Sequence, residues 1–410
     1  MRGSTGGGSV RVEGWGMYVP PRILTNDDMA RLVDTSDDWI RSRTGIRERR
    51  VAGPQETTAS LAASAGRRAL AVAGLDPADL DVIVVGTCTP DYALPATAVF
   101  VKEALGAAGA AAMDVAAVCS GFVYAYSAGH AYVASGMYRN ALVIGAETLT
   151  RVMDYHDRGT CILFGDGAGA VLLQRSDEPE GGLLGLELTA DPAGAYNIYQ
   201  PAGGAASPAS DSTVERRGHF VRMDGRETYR YATRTMASTV STALERAGVA
   251  PDEVALFVPH QANVRIIESV AKGLGIGMER VYVNVDRYGN TSAASVPMAL
   301  VEAVEAGRVK PGDVIVFVAF GAGYTSGACV VRWTADPAHG ARARGIEPIV
   351  GLRRPNDWTA DDPTPPELRA IFAAKEADGA KAADGAAATD ESKAADGAEA
   401  APTQGVEVVA

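Results

Sequence analysis

Cys119, His260 and Asn290 are the side chains whose types and settings can do chemistry in this chain. Cys119 stands where an apolar stretch, Ala111 to Val118, gives way to a small-residue and aromatic run beginning at Gly121. A cysteine placed where a strand turns into a buried helix lies near unpaired backbone N–H groups, and these favour a thiolate. The competing reading is a buried cysteine acting as a small hydrophobe. His260 follows the apolar run Val254 to Val258 within Pro259-His260-Gln261-Ala262-Asn263, at the strand end where open α/β sheets place their sites. A surface-loop histidine is the alternative. Asn290 sits in Tyr288-Gly289-Asn290-Thr291-Ser292, where a plain turn or helix cap would also account for it. A glycine-rich bend, Phe320-Gly321-Ala322-Gly323-Tyr324, can bring a backbone N–H close to a ligand. Cys, His and Asn occur together in two chemistries. In one, His is the base for Cys and Asn orients it. In the other, His and Asn both point at a substrate oxygen.

The elements that must position these residues read as alternating helices and strands. Val10 to Val19 has the pattern of an edge strand, and Thr25 and Ser36 precede short helices as capping residues. Thr57 to Ala73 is an Ala-rich helix stopped by Gly74, and Val82 to Gly86 is apolar without alternation, as in a parallel strand. A helix over Ala96 to Leu105, a strand over Asn140 to Gly145 and a strand over Ala170 to Gln174 complete the first half. The second half repeats the first. Ala69-Leu70, Gly74, Pro77 and Asp79 before Val82 match Ala243-Leu244, Gly248, Pro251 and Glu253 before Leu256. A repeat of this length at a constant offset implies a duplicated α/β unit. It would bring residues 119, 260 and 290 together across a pseudo-two-fold axis.

Boundaries follow from composition. Residues 1–9 are expected to be a flexible N-terminus, 10–175 the half with the nucleophile, 176–218 an inserted Gly/Pro/Ala/Ser-rich loop region with room for short strands, 219–333 the half with His260 and Asn290, and 334–410 an Ala/Gly/acidic tail. From Lys375 onward three Lys stand against eight Asp/Glu, and Lys381 to Ala386 recurs as Lys393 to Ala398. Such a segment has too little apolar surface to offset its ordering entropy, so a solvated tail is expected, with local docking of Trp358, Leu368, Ile371 and Phe372 as the alternative. The formal charge of −12 argues against nucleic acid as a partner. Cys88, Cys119, Cys161 and Cys329 are scattered, which fits neither a disulfide framework nor a zinc site. Cys88 and Cys161 read as core packing. No run of 18 apolar residues or secretory leader is evident, so a cytoplasmic protein without membrane insertion is expected.

An ordered set of motifs carries a family resemblance over about residues 10–333. They are Asp38-Trp39-Ile40 with Arg43 to Arg50, Ala117-Val118-Cys119-Ser120-Gly121-Phe122, Asp157-Arg158-Gly159-Thr160 and Phe164 to Ala170. The His260, Asn290 and Phe320 to Gly323 stretches complete the set. In these the chain is similar to the beta-ketoacyl-acyl-carrier-protein synthase III family of thiolase-like condensing enzymes. The resemblance implies an α/β thiolase-like fold, two α/β halves forming a layered αβαβα core. It also implies a homodimer without metal or resident cofactor, coenzyme A and carrier protein being substrate carriers.

By that likeness Cys119 takes an acyl group from a starter acyl-CoA. His260 and Asn290 then hold the enolate formed when malonyl-acyl carrier protein loses CO2. The N–H groups of Cys119 and Ala322 form an oxyanion hole, although the family often has Gly at the latter place. Trp39 resembles the residue that stacks on the coenzyme A adenine, Arg43 and Arg158 align with contacts to the nucleotide end, and Thr35 aligns with a pantetheine contact. Arg265 aligns with a carrier-protein docking residue. Arg222, Arg226, Arg230 and Arg234 recur every four residues as a basic stripe suited to an acidic carrier protein. The alternative function is a non-decarboxylative acyltransferase of secondary metabolism, which passes the Cys119 acyl group to another acceptor.

Overall fold

The computed structural model describes residues 9–352 and 362–379. Up to Thr364 the chain forms one unit built on two sheets. The first half supplies β1 (Ser9–Tyr18), β2 (Val82–Gly86), β3 (Ala111–Val115), β4 (Asn140–Thr148) and β5 (Asp166–Ser176), in the spatial order β1-β5-β4-β2-β3. The second sheet contains β6 (Gly182–Ala190), β7 (Val254–Pro259), β8 (Val314–Gly321) and β9 (Thr325–Arg332), in the order β7-β8-β9-β6. The duplication is visible in the pairing. In each sheet a parallel pair, β2 with β4 and β7 with β8, continues into antiparallel neighbours, β5 then β1 and β9 then β6.

Helices α1 (Asp37–Thr44), α2 (Thr58–Ala73), α3 (Thr97–Leu105), α4 (Gly121–Ala134), α5 (Gly225–Ala247), α6 (Val264–Gly273) and α7 (Ser295–Glu305) complete the frame. Helix α2 begins at a capping box between Thr57 and Ser60 and stops at Gly74, whose φ of 71° is left-handed. Three apolar clusters define five layers. One joins α2 and α3 to the outer face of the first sheet through Leu61, Ala65, Ile83 and Leu142. The central one holds α4 and α7 between the two sheets, through Phe122, Tyr126, Val296, Leu300, Val84 and Phe317. The third packs α5 and α6 on the far face of the second sheet through Met236, Ile267, Phe257 and Val316. Every residue of β2 and of β4 is buried, which explains why neither alternates apolar with polar.

Two glycines let the central layer sit on the strand ends. A Cβ at Gly86 would lie 2.5 Å from the backbone carbon of Gly121, and one at Gly145 would lie 2.2 Å from the Ala293 carbonyl oxygen. Side chains there would push away the turns that follow Cys119 and Asn290.

The structure differs from the sequence reading in two places. Residues 176–218 are not wholly a loop insert, since β6 runs through them and pairs with β9 from Gly182 to Ala190. Their glycine content disguised a strand. A Cβ at Gly185 would lie 2.3 Å from the Ala243 carbonyl oxygen, so close approach of α5 requires that glycine. The start of the expected tail is also no free appendage. Residues 334–352 cross α2: Arg342 donates to the Val72 carbonyl (2.9 Å), the Ile349 N–H donates to Ser64 Oγ (2.8 Å), and Ile349 joins the outer apolar cluster. Residues from Pro365 form a second unit, whose described part is helical over 366–379, with Leu368, Ile371 and Phe372 buried. Trp358 and the repeats after residue 380 lie outside the described residues.

Candidate active site

The turn that carries Cys119 is built under tension. After β3 the chain enters a tight turn over Val118–Ser120 and continues into α4. Val118 has φ 47°, a region that a β-branched residue adopts only when its surroundings enforce it, at about 1–3 kcal/mol. The enforcing contacts come from the other half. Ser120 Oγ donates to the Thr325 carbonyl (3.1 Å), and Thr325 Oγ1 donates to the Ala117 carbonyl (3.0 Å). Gly321 passes so close that a Cβ there would lie 2.7 Å from the Cys119 nitrogen. Cys119 faces an apolar cavity, and its burial pushes the thiol up to about 12. The thiolate expected from the strand-to-helix setting is therefore not the resting form. Desolvation outweighs the N–H groups at the start of α4.

His260 directly follows β7, its N–H donating to the Val318 carbonyl (2.7 Å). Its Nδ1 lies 2.6 Å from Ser295 Oγ, which accepts the Gln261 N–H (3.3 Å). In the tautomer in which Ser295 Oγ donates to Nδ1, the ring hydrogen resides on Nε2. Burial lowers the imidazole to about 3, so the ring is neutral and Nε2–H is a donor. Asn290 is fixed with equal care. Its N–H donates to the Leu163 carbonyl (2.8 Å), and its carbonyl accepts from the Gly165 N–H (3.0 Å). Its side-chain Oδ1 accepts from the Ser292 N–H (2.8 Å), which leaves the Nδ2 amide as the donor end. That bond depends on Ser292 adopting φ 47°, a second strained residue at the site. Gly289, at φ 64°, supplies the bend before Asn290.

Cys119, His260 and Asn290 line a single cavity of about 750 Å³, together with Ala322, Phe320 and Met236. The sequence-derived set is thus assembled from β3–α4, β7 and the turn before α7. At the mouth, Trp39 and Arg43 also line the cavity. The Arg43 and Arg158 guanidiniums lie 5.8 and 5.1 Å from the Trp39 ring centre, so the three form one cationic and aromatic platform. Thr35 and Arg158 are not part of the cavity wall. Arg158 donates to the Asp34 carbonyl (2.7 Å), and the Thr35 side-chain oxygen is enclosed without a hydrogen-bond partner. Arg226, Arg230 and Arg234 are exposed on α5, but Arg222 is not in that stripe. The helix starts only at Gly225, and Arg222 lies in the short strand Arg222–Met223, donating to the Arg216 carbonyl (3.1 Å). Arg265 is exposed at the start of α6 and donates to the Ser42 carbonyl (2.6 Å).

Sequence reasoning passed over four residues. Ser292 and Ser295 orient Asn290 and His260, as described. Cys88, read as core packing, lines the cavity. Glu147 is fully buried at the end of β4 and accepts hydrogen bonds from Thr87 Oγ1, Cys88 N, Thr89 N, Thr89 Oγ1 and Cys88 Sγ. A glutamate ending an all-apolar strand was the available signal. Among the described residues no group of three His, Cys, Asp or Glu side chains could hold a metal, and no helix is long and apolar enough to cross a membrane.

Comparison with known proteins agrees with this geometry. The family model 3-oxoacyl-[acyl-carrier-protein (ACP)] synthase III matches residues 113–192, and its C-terminal counterpart matches 244–333. The chain is 52% identical over 322 residues to a beta-ketoacyl-[acyl-carrier-protein] synthase III of Roseiflexus sp. (strain RS-1), covering 78% of this chain and 98% of that one. It is 50% identical over 321 residues to that of Caldanaerobacter subterraneus subsp. tengcongensis, covering 78% and 97%. The crystal structure of 3-oxoacyl-[acyl-carrier-protein] synthase III from Aquifex aeolicus VF5 superposes with TM-score 0.73 at 44% identity, over 79% of this chain and all of that one. A priming beta-ketosynthase of the R1128 polyketide pathway superposes with TM-score 0.74 at 37% identity, over 80% and 97%. The chain belongs to the beta-ketoacyl-acyl-carrier-protein synthase III family, the thiolase-like condensing acyltransferases.

Proposed function

We propose that this chain condenses a starter acyl-CoA with malonyl-acyl carrier protein through an acyl-Cys119 intermediate, with loss of CO2, to begin a fatty-acid or polyketide chain. Cys119 Sγ attacks the starter thioester and coenzyme A leaves. The malonyl thioester then enters the same cavity, and charge collects on its carbonyl oxygen as CO2 departs. His260 Nε2–H and the Asn290 amide are neutral donors, so they stabilise that enolate without protonating it, at about 3–4 kcal/mol each. The enolate carbon attacks the acyl carbon, and Cys119 leaves as the thiolate. The N–H groups of Cys119 and Ala322 serve the tetrahedral oxyanion of both acyl transfers. An apolar wall excludes water from the carbanion.

One observation carries this reading: the nucleophile and the free donor ends of two uncharged side chains from the opposite half share a single cavity with a mostly apolar lining. The platform of Trp39, Arg43 and Arg158 suits an adenine nucleotide. Arg226, Arg230, Arg234 and Arg265 suit an acidic carrier protein. A homodimer is supported by the open edge of β3, beside which Tyr92, Leu94 and Val99 are exposed. We place the enzyme in the cytoplasm, where both carriers occur.

The test separates the half-reactions. Cys119→Ala should form no acyl adduct by intact mass with any starter acyl-CoA. Asn290→Ala should still load but lose CO2 release from malonyl-acyl carrier protein by about 10²–10³-fold. Equal loss of both steps would refute the role given to Asn290. Loading and acyl transfer without stoichiometric CO2 would instead identify the non-decarboxylative acyltransferase.

A further inference from the structure

The reaction proposed above needs the Cys119 thiol to lose a proton inside an apolar cavity, and neither His260 nor Asn290 takes it. With Ser295 donating to Nδ1 (2.6 Å), His260 Nε2 carries the ring hydrogen, and Asn290 presents its amide hydrogens. Behind the nucleophile lies a basic oxygen. Glu147 is 0% exposed and draws donors from the loop at 87–89, with the Ser292 side chain also against it. The hydroxyl protons there are committed toward it. Thr89 Oγ1 accepts from the Thr148 N–H (2.9 Å) and donates to Glu147 (2.5 Å), while Thr87 Oγ1 accepts from the Thr89 N–H (3.1 Å) and donates to Glu147 (3.1 Å). The donors around Glu147 offset part of the burial that raises it and favour its carboxylate form, and among the described residues no cation pairs with it.

A path connects it to Cys119. The Ser292 side chain lies against Cys119 and lowers its thiol, its Oγ is 3.8 Å from Cys88 Sγ, and Cys88 Sγ donates to Glu147 Oε1 (3.3 Å). We propose that Glu147 is the terminal proton acceptor for Cys119, reached through Ser292 Oγ and Cys88 Sγ. This rests on the acyl-Cys119 reading. On loading, Cys119 gives its proton to Ser292, Ser292 gives its own to Cys88, and Cys88 gives its own to Glu147. The sulfur–acyl bond forms as the bond to coenzyme A breaks, and the departing thiolate takes a proton from solvent. When condensation expels Cys119 as a thiolate, the relay runs backward and restores the ionised Glu147.

Electrostatics couples the two ends. Burial raises Glu147, and its charge raises both cysteines, so two anions cannot coexist there and thiolate forms only as the carboxylate is neutralised. The titratable groups facing the path are Cys88 on the loop after β2, Cys119 before α4, Glu147 on β4 and His260 on β7.

The experiment is the pH dependence of Cys119 alkylation by iodoacetamide, read by peptide mapping. An internal acceptor makes the wild-type rate nearly flat from pH 6 to 9, whereas a thiol exchanging with solvent alone gains about tenfold per pH unit. Glu147→Gln should be slower by about 10²-fold at pH 7 and acquire the tenfold slope, while Glu147→Asp keeps the flat profile. A rising wild-type profile, or a flat one in Glu147→Gln, overturns the proposal. Should Glu147→Gln fail to fold, Ser292→Ala decides, and an unchanged rate at pH 7 overturns the relay. Acyl-CoA loading of the same preparations tests the underlying reading separately. A flat wild-type profile without loading sinks the condensing reaction and leaves the relay standing.

Discussion

At Cys119 and His260 the same desolvation acts in opposite senses, and both outcomes serve the chemistry. It holds the cysteine as a thiol until a proton acceptor engages, and it holds the histidine neutral so that it donates rather than protonates. The second effect has a linkage consequence. The unfolded chain binds a proton at His260 near pH 6.5, whereas the folded site resists protonation until about pH 3. Protons therefore favour the unfolded state between these values, and stability falls as pH drops through that window. The stability of wild type relative to His260→Gln should be constant above pH 7 and decline progressively from pH 6.5 toward 4, measured by urea unfolding. A difference that stays constant through this range would show that His260 titrates normally in the fold. The types of the three central residues were legible in the sequence. Their protonation states were not, because these depend on an enclosure assembled from both halves.

Helix and strand boundaries came largely from capping and stop signals: Ser36 and Thr57 accept N–H bonds at helix starts, and Gly74 and Gly248 end helices in the left-handed region. What local signals did not convey is why certain glycines stand at strand ends. Gly321 ends β8 against the nucleophile turn, where a Cβ would meet the Cys119 nitrogen at 2.7 Å and the Ala117 oxygen at 3.1 Å. Gly321→Ala should displace the turn that Thr325 and Ser120 hold, and lower Cys119 loading by about 10²-fold with the fold retained. Wild-type loading rates in that variant would show that the strand end does not register the nucleophile. The arginine stripe fails at its first member for a related reason. A four-residue period continues only while the helix does, and Asp224 caps α5 after Arg222 has passed.

On the scale of the whole molecule, the two sheets and the central helices repeat one another, so the site lies where equivalent strand ends converge. The segment 334–352, beyond the residues that the family models match, is bound to α2 rather than trailing from it. Ile349→Ala should cost about 2 kcal/mol of stability by chemical denaturation while leaving Cys119 loading intact, since Ile349 belongs to the outer cluster and not to the cavity. No change in stability would mean that the segment merely lies on the surface. The sequence by itself determined the duplicated α/β class, the positions of most elements and the three residue types at the site. Those depend on local propensity, periodicity and motif. The tertiary structure alone decided that Glu147 and Cys88 stand behind the nucleophile, that serines set the donor ends of His260 and Asn290, and that β6 is a strand. Each follows from contacts between segments distant in the chain, and no local pattern encodes which groups a closed cavity deprives of water.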